Sequence, residues 1–163
     1  MTALAIRQWR IIVSVKTRHC ERCEADVTRE RKALVERQSR LAEAMHAVTV
    51  AEKKCVEHEA RIVALIDGAT HVVTSDYLAH DAWRAPLKDV LMAERNAEKK
   101  CRAAVTHQQQ RLADAQAALA RAQSALDQCR RKLDKLLKRA AVAVELATDE
   151  EAAENLLARR HAR

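Results

Sequence analysis

Five cysteines and seven histidines give this chain of 163 residues its clearest potential for chemistry. Cys20 and Cys23 form a C-x-x-C pair with His19 beside it, and zinc takes four nitrogen or sulfur ligands in a tetrahedron. A zinc site formed by these residues and Cys129 is therefore conceivable. However, the chain has no second C-x-x-C pair, and all five cysteines fall at helix positions where cysteine serves as a small apolar side chain. We favour packing, and we expect no metal and no cofactor.

The sequence lacks the motifs of an enzyme. It has no Gly-rich phosphate loop, no nucleophile elbow and no H-E-x-x-H pattern. With only one glycine and one proline, it has too few turn formers for a compact fold with a concave pocket. Ala, Leu, Arg, Lys, Glu and Gln, the best helix formers, dominate instead. We therefore expect a non-enzymatic, all-α protein.

Apolar residues recur every seven positions, which is typical of helices that pack along a supercoiled seam. In the first half, one line is apolar throughout: Ile6, Val13, Cys20, Val27, Leu34, Leu41, Val48, Cys55 and Ile62. Its companion line is mixed: Trp9, Lys16, Cys23, Glu30, Arg37, Ala44, Ala51, His58 and Leu65. The second half has the lines Val105, Leu112, Leu119, Leu126, Leu133 and Ala140, and Cys101, Gln108, Ala115, Ala122, Cys129, Leu136 and Ala143.

The two registers are separated by the only glycine, Gly68, and the only proline, Pro86. Glycine favours a helix C-terminus and proline the first turn of a helix. The pattern predicts a single-domain, long antiparallel two-helix coiled-coil hairpin with a short C-terminal helical tail. Its parts are helix 1 at about 4–66, the tip at 67–85, helix 2 at about 86–147 and the tail at 148–163.

This arrangement places Ile66 opposite Pro86 and Cys23 opposite Cys129. Residues 75–85 could form a short helix or a loop, and a single helix that starts at Ser75 and kinks at Pro86 is an alternative. A dimer of extended helices is a third arrangement that the same heptads allow.

Thirty basic and 23 acidic residues give a net charge of +7, which favours acidic partners. Two basic clusters would lie together at the open end of the hairpin: Arg7, Arg10, Lys16 and Arg18 with Arg130, Arg131, Lys135, Lys138 and Arg139. Such clusters often belong simply to a solvated face.

At the tip, Tyr77 and Trp83 either fill gaps in the seam or offer a partner an apolar anchor. The same two alternatives hold for Trp9.

A nucleic-acid-binding coiled coil is the alternative function, because basic clusters can contact phosphates. The chain has no aromatic stacking platform and no distinct basic region ahead of a zipper, so we do not favour nucleic acid as partner. Apolar runs reach only five residues, far short of the roughly 20 that cross a bilayer. We expect no membrane span and a reducing, cytoplasmic environment.

The segment "VSVKTRHCERCEADVTRERKAL" resembles the opening of the FliJ/YscO stalk proteins of flagellar and type III secretion export, and the Ala- and Arg-rich style is most similar to the Hrp-type version. The resemblance implies a stalk that binds the hexameric export ATPase through its open end, promotes ring assembly and links the ATPase to the export gate. It also implies contacts with export chaperones and a place beside the secretion apparatus at the inner membrane. The usual polar tip of that family is replaced here by "YLAHDAW".

Overall fold

The computed structural model describes residues 2–67 and 74–161, and these residues form three helices. Helix α1 spans Thr2–Asp67, α2 spans Thr74–Asp81 and α3 spans Arg84–His161. No strand occurs in these two ranges, so the predicted all-α class is confirmed. Within the same two ranges, no helix is long and apolar enough to cross a membrane.

The seven-residue lines of the sequence are the buried faces of α1 and α3. Every member of both lines in α1 is buried or half-buried, including the polar members Lys16 and Glu30. In α3 the same holds for both lines except Ala143, which is exposed. The coiled-coil pattern therefore identifies the packed faces correctly, because each apolar stripe is removed from water only where a second helix covers it.

Pro86 explains why α2 and α3 are separate helices. Proline has no N–H, and its ring clashes with the carbonyl four residues earlier, which belongs to Ala82. The turn falls at that point. Trp83 N donates to His80 O at 3.1 Å and so spans three residues, whereas the helical hydrogen bond from Ala82 N to Leu78 O at 3.0 Å spans four. Pro86 itself lies in the first turn of α3. Residues 75–81 are thus helical, whereas the expected glycine cap at residue 68 lies outside the described residues.

The chain divides into two compact units, which we call the tip unit, residues 28–114, and the terminal unit, residues 1–27 with 115–163. In the tip unit, Glu52 contacts Arg95 and Glu30 contacts Arg111, so α1 and α3 run antiparallel. In the terminal unit, Cys20 and Cys23 form an apolar cluster with Ala122 and Leu126, with Val13 and Leu119 packed against it. The hairpin prediction is confirmed by these pairings.

The predicted register is wrong by about three helical turns. If Ile66 faced Pro86, Cys55 would lie opposite Ala97; instead its thiol donates to Leu87 O at 3.6 Å. Ile66 and Pro86 are both exposed. The reason is that α2 already belongs to the returning limb, since His80 contacts His58 of α1 at 2.8 Å. The returning limb therefore begins with α2, ahead of the predicted start at Pro86.

Helix α3 continues without a break through the segment expected to be a separate tail, and ends at His161. From Ala141 onward every side chain that the structure describes is exposed, including those of Val142, Val144, Leu146 and Leu157. This stretch of α3 is therefore helical without a packing partner in the described chain.

Candidate partner-binding surfaces

The nine basic residues singled out at the chain ends all belong to the terminal unit. Eight are exposed, and Lys16 is half-buried at its seam position. Within the described ranges none of the nine forms an ion pair. Their positive charges therefore remain available to an acidic partner. We refer to these nine residues as the basic cluster.

Trp9 connects the two helices of the terminal unit. The ammonium of Lys132 lies 5.2 Å from the centroid of the half-buried Trp9 ring, a cation–π contact. Trp9 also lines an open cleft of about 230 Å³ with Lys132, Lys135, Leu136 and Arg139. Three cations that line one cleft with Trp9 make it suited to a carboxylate or another anion.

The tip unit carries a second open cleft, of about 360 Å³, which we call the tip cleft. It is lined by Lys54, Glu57, His58, Arg61, His80, Trp83 and Leu87. The Trp83 side chain is 62% exposed, so it does not fill a gap in the seam. Tyr77, the other predicted tip residue, is half-buried and does not line this cleft.

Hydrogen bonds of His58 and Arg84 lie at and beside the tip cleft in the chain. His58 Nε2 lies 2.8 Å from His80 O; because a carbonyl only accepts, this nitrogen carries the proton. The two imidazole rings are 5.6 Å apart and tilted by 48°. Arg84 donates to Glu59 at 2.8 Å and to Asp81 at 2.9 Å, and the hydrogen bond to Glu59 raises the pKa of Arg84. These contacts fix α2 and the start of α3 against α1.

A polar layer interrupts the seam of the tip unit at Glu30 and Gln108. Gln108 is 1% exposed, and its Nε2 donates to Glu30 O at 3.1 Å and to the Glu30 carboxylate. Arg111 donates to the same carboxylate at 2.9 Å. The Gln108 hydrogen bond lowers the pKa of Glu30, burial opposes it, and Arg111 and Arg29 lower it further. Because a slip would leave both side chains buried without partners, this layer fixes the register of the two helices.

The predicted seam positions of the cysteines are confirmed, because none of the five is exposed and none forms a disulfide. The thiol of Cys23 lies 3.9 Å from His19 Nε2. In the described ranges, no three His, Cys, Asp or Glu side chains are grouped so that they could hold a metal ion. Cys23 belongs to the cluster with Ala122 and Leu126, and Cys129, its predicted partner, is not a member of that cluster.

Sequence reasoning missed the tip cleft and did not pair Glu30 with Gln108. The only signal for the polar layer was a polar residue at a seam position on each helix, and the predicted register placed these two far apart. Lys54 and Arg61 gave no signal, since exposed cations are frequent in this chain. They form a candidate site only together with Trp83, which the turn before Pro86 brings beside them.

One comparison with known proteins gives a match. The family model described as "Bacterial type III secretion protein (HrpB7)" matches residues 5–160, which includes α2 and nearly all of α1 and α3. The search of curated proteins and the search of solved structures give no match.

Proposed function

Because this chain belongs to the HrpB7 family of bacterial type III secretion proteins, we propose that it is the non-enzymatic central stalk of the export ATPase. In this role it binds the ATPase hexamer, promotes assembly of the ring and links the ring to the export gate. The same proposal places the protein in the cytoplasm beside the secretion apparatus at the inner membrane, where export chaperones are further partners.

The observation that carries the proposal is the unpaired charge of the terminal unit. The basic cluster has no acidic partner in the described chain, and long basic side chains on two antiparallel helices present that charge on several sides. An acidic ring interior would neutralise it, and complementary charge accelerates association and orients the partners.

The end of α3 supports the same proposal through apolar surface. Val142, Val144 and Leu146 are more than half exposed, although burying such side chains is worth about 1.5–3 kcal/mol each. A helix that carries them without a packing partner is suited to be buried by another protein. Since this segment follows Arg139 directly on α3, cations and apolar side chains would contact a partner together.

The test mixes the purified protein with the export ATPase of the same organism and measures ring assembly by light scattering and ATP hydrolysis by phosphate release. A variant with Arg7, Arg10, Arg130 and Arg131 changed to glutamate should lose binding, because its charge would then repel an acidic interior. The matched control changes four exposed cations of the tip unit to glutamate: Arg31, Lys32, Lys88 and Lys99. We expect the control to bind with little change.

Binding that is lost equally in both variants would show that only net charge matters, and unchanged binding in both would show that the basic cluster is not the contact. A DNA titration at about 50 and about 200 mM salt serves as a second arm. Tight, salt-dependent DNA binding without any effect on the ATPase would contradict the stalk proposal.

A further inference from the structure

The tip cleft brings two cations, Lys54 and Arg61, next to an exposed tryptophan, Trp83. Lys54 and Arg61 form no ion pair in the residues that the structure describes, while Glu57, the one acid in the lining, is 3.7 Å from Lys53. Trp83 is 62% exposed next to these cations. Exposed tryptophan flanked by cations is the composition of a binding hot spot.

The spacing within the cleft indicates what would fit it. Lys54 and Arg61 are seven residues apart on α1, so they lie on one face at about 10 Å separation along the helix axis. His58 lies between them on the same face, with Trp83 and Leu87 forming the apolar wall. A second helix with acidic residues seven apart and an apolar side chain between them would match both charges and fill the wall.

We propose that the tip cleft binds an acidic amphipathic helix of another protein. Its two carboxylates would pair with Lys54 and Arg61, and the apolar side chain between them would cover Trp83 and Leu87. Laying one helix face into a groove of this kind is a common mode of peptide recognition. The cleft residues belong to the tip unit and the basic cluster to the terminal unit, so the two surfaces can be tested separately.

A second copy of this chain is the less suitable occupant. Exposed acids seven residues apart occur in the described chain at Glu36 with Glu43 and at Asp127 with Asp134. The residues between them on the same helix face are Ser39 and Arg40 in the first pair and Arg130 and Arg131 in the second. Neither pair therefore has an apolar side chain to cover Trp83, and the arginines would repel Lys54 and Arg61. The partner we infer is therefore a different protein with the required spacing.

The experiment uses the full chain and fluorescence anisotropy of a labelled synthetic helix that carries glutamates seven residues apart with leucine between them. We expect saturable binding that weakens as salt rises. The variant Lys54→Glu with Arg61→Glu should weaken binding by about tenfold or more, equivalent to about 1.4 kcal/mol, and Trp83→Ala should weaken it as well. The matched control is Lys32→Glu with Lys99→Glu, which removes the same charge from exposed sites of the same unit.

Two further arms make the outcome decisive. A peptide with lysines in place of the glutamates should bind the Lys54→Glu, Arg61→Glu variant better than the wild type, which a merely structural role for these cations would not produce. Equal binding by the control and the cleft variant would overturn the proposal. So would self-association of the wild-type protein that the cleft variant abolishes, because the occupant would then be a second copy.

The outcome is independent of the proposed stalk function. The cleft variant should assemble the export ATPase as well as the wild type does, since its substitutions lie in the tip unit. Loss of ATPase binding in the basic-cluster variant alone, or loss of peptide binding in the cleft variant alone, would identify which of the two proposals fails.

Discussion

In the tip unit, charged and polar side chains cross between the helices, whereas the apolar cluster of the terminal unit consists mainly of small residues. Arg84 pairs with Glu59, Arg95 with Glu52, and the Arg37 guanidinium donates to Ala104 O at 3.3 Å. The terminal unit instead buries Cys20, Cys23, Ala122 and Leu126 against one another.

The difference has consequences for specificity. Small apolar side chains can interdigitate in more than one register, whereas the hydrogen bonds from the buried Gln108 amide nitrogen to Glu30 form in only one. The tip unit therefore contains the contacts that fix which residues face each other. The apolar cluster of the terminal unit does not impose that requirement, and the nine residues of the basic cluster form no ion pair within the described ranges.

The largest effect should come from removing a core side chain of one unit at a time. Ile62 is 1% exposed in the tip unit and Leu126 is 6% exposed in the terminal unit. Changing either residue to alanine should lower the free energy of unfolding by about 2–5 kcal/mol, because a cavity replaces the lost apolar contact. Chemical denaturation followed by circular dichroism measures the loss.

Hydrogen exchange then tests whether the units respond separately. Ile62→Ala should speed exchange mainly in residues 28–114, and Leu126→Ala mainly in the terminal unit. Val63→Ala, next to Ile62 but 53% exposed, is the control and should change stability by less than about 0.5 kcal/mol. Exchange that rises equally in both units after either core substitution would remove the basis of the comparison.

A smaller effect should appear on acidification, and it should be specific to Glu30. The folded-state pKa of Glu30 is lowered from 4.5, mainly by the hydrogen bond from Gln108. The ionised carboxylate therefore stabilises the folded state above that pH. This stabilisation is lost as the pH falls below 4.5 through the folded-state pKa.

Unfolding midpoints measured across the acidic range, for the wild type and for Glu30→Gln, check this prediction. The variant should lose less stability on acidification than the wild type, because an amide does not titrate. Glu150→Gln, at an exposed site of the terminal unit, should follow the wild type. If Glu30→Gln lost as much stability on acidification as the wild type does, the polar layer would have no special role in the tip unit.

The sequence predicted the packed faces of this fold well but failed on how they face each other. Heptad periodicity depends on local spacing along one helix, so positions such as Ile62 and Leu126 were correctly identified as buried. The register depends on where the chain reverses. Gly68 and Pro86 were treated as the two ends of one turn, whereas α2 between them already packs on α1 through His58 and His80.

The same difference between local spacing and register decided which candidate sites could be predicted. Each half of the basic cluster could be found from the sequence, because it needs only that several cations lie near each other along one helix. Assigning both halves to one unit needs the antiparallel hairpin but not its exact register. The tip cleft joins Lys54 and Arg61 of α1 to Trp83 after α2. No local sequence pattern predicts such a site, because its residues come together only through the register of α1 and α3 and the turn before Pro86.

The smallest effect should come from the exposed ion pair of Arg95 with Glu52, whose side chains are 53% and 45% exposed. Solvent and the entropy of two long side chains limit such pairs to about 0.2–1 kcal/mol. A double-mutant cycle with Arg95→Ala and Glu52→Ala measures their coupling, which should decrease as added salt screens the charges. A coupling well above this range, or one indifferent to salt, would mean that exposed pairs also hold the tip unit together. A coupling near zero would mean that the register depends on the buried layer of Glu30 and Gln108. Those side chains are shielded from water, whereas the side chains of Arg95 and Glu52 are not.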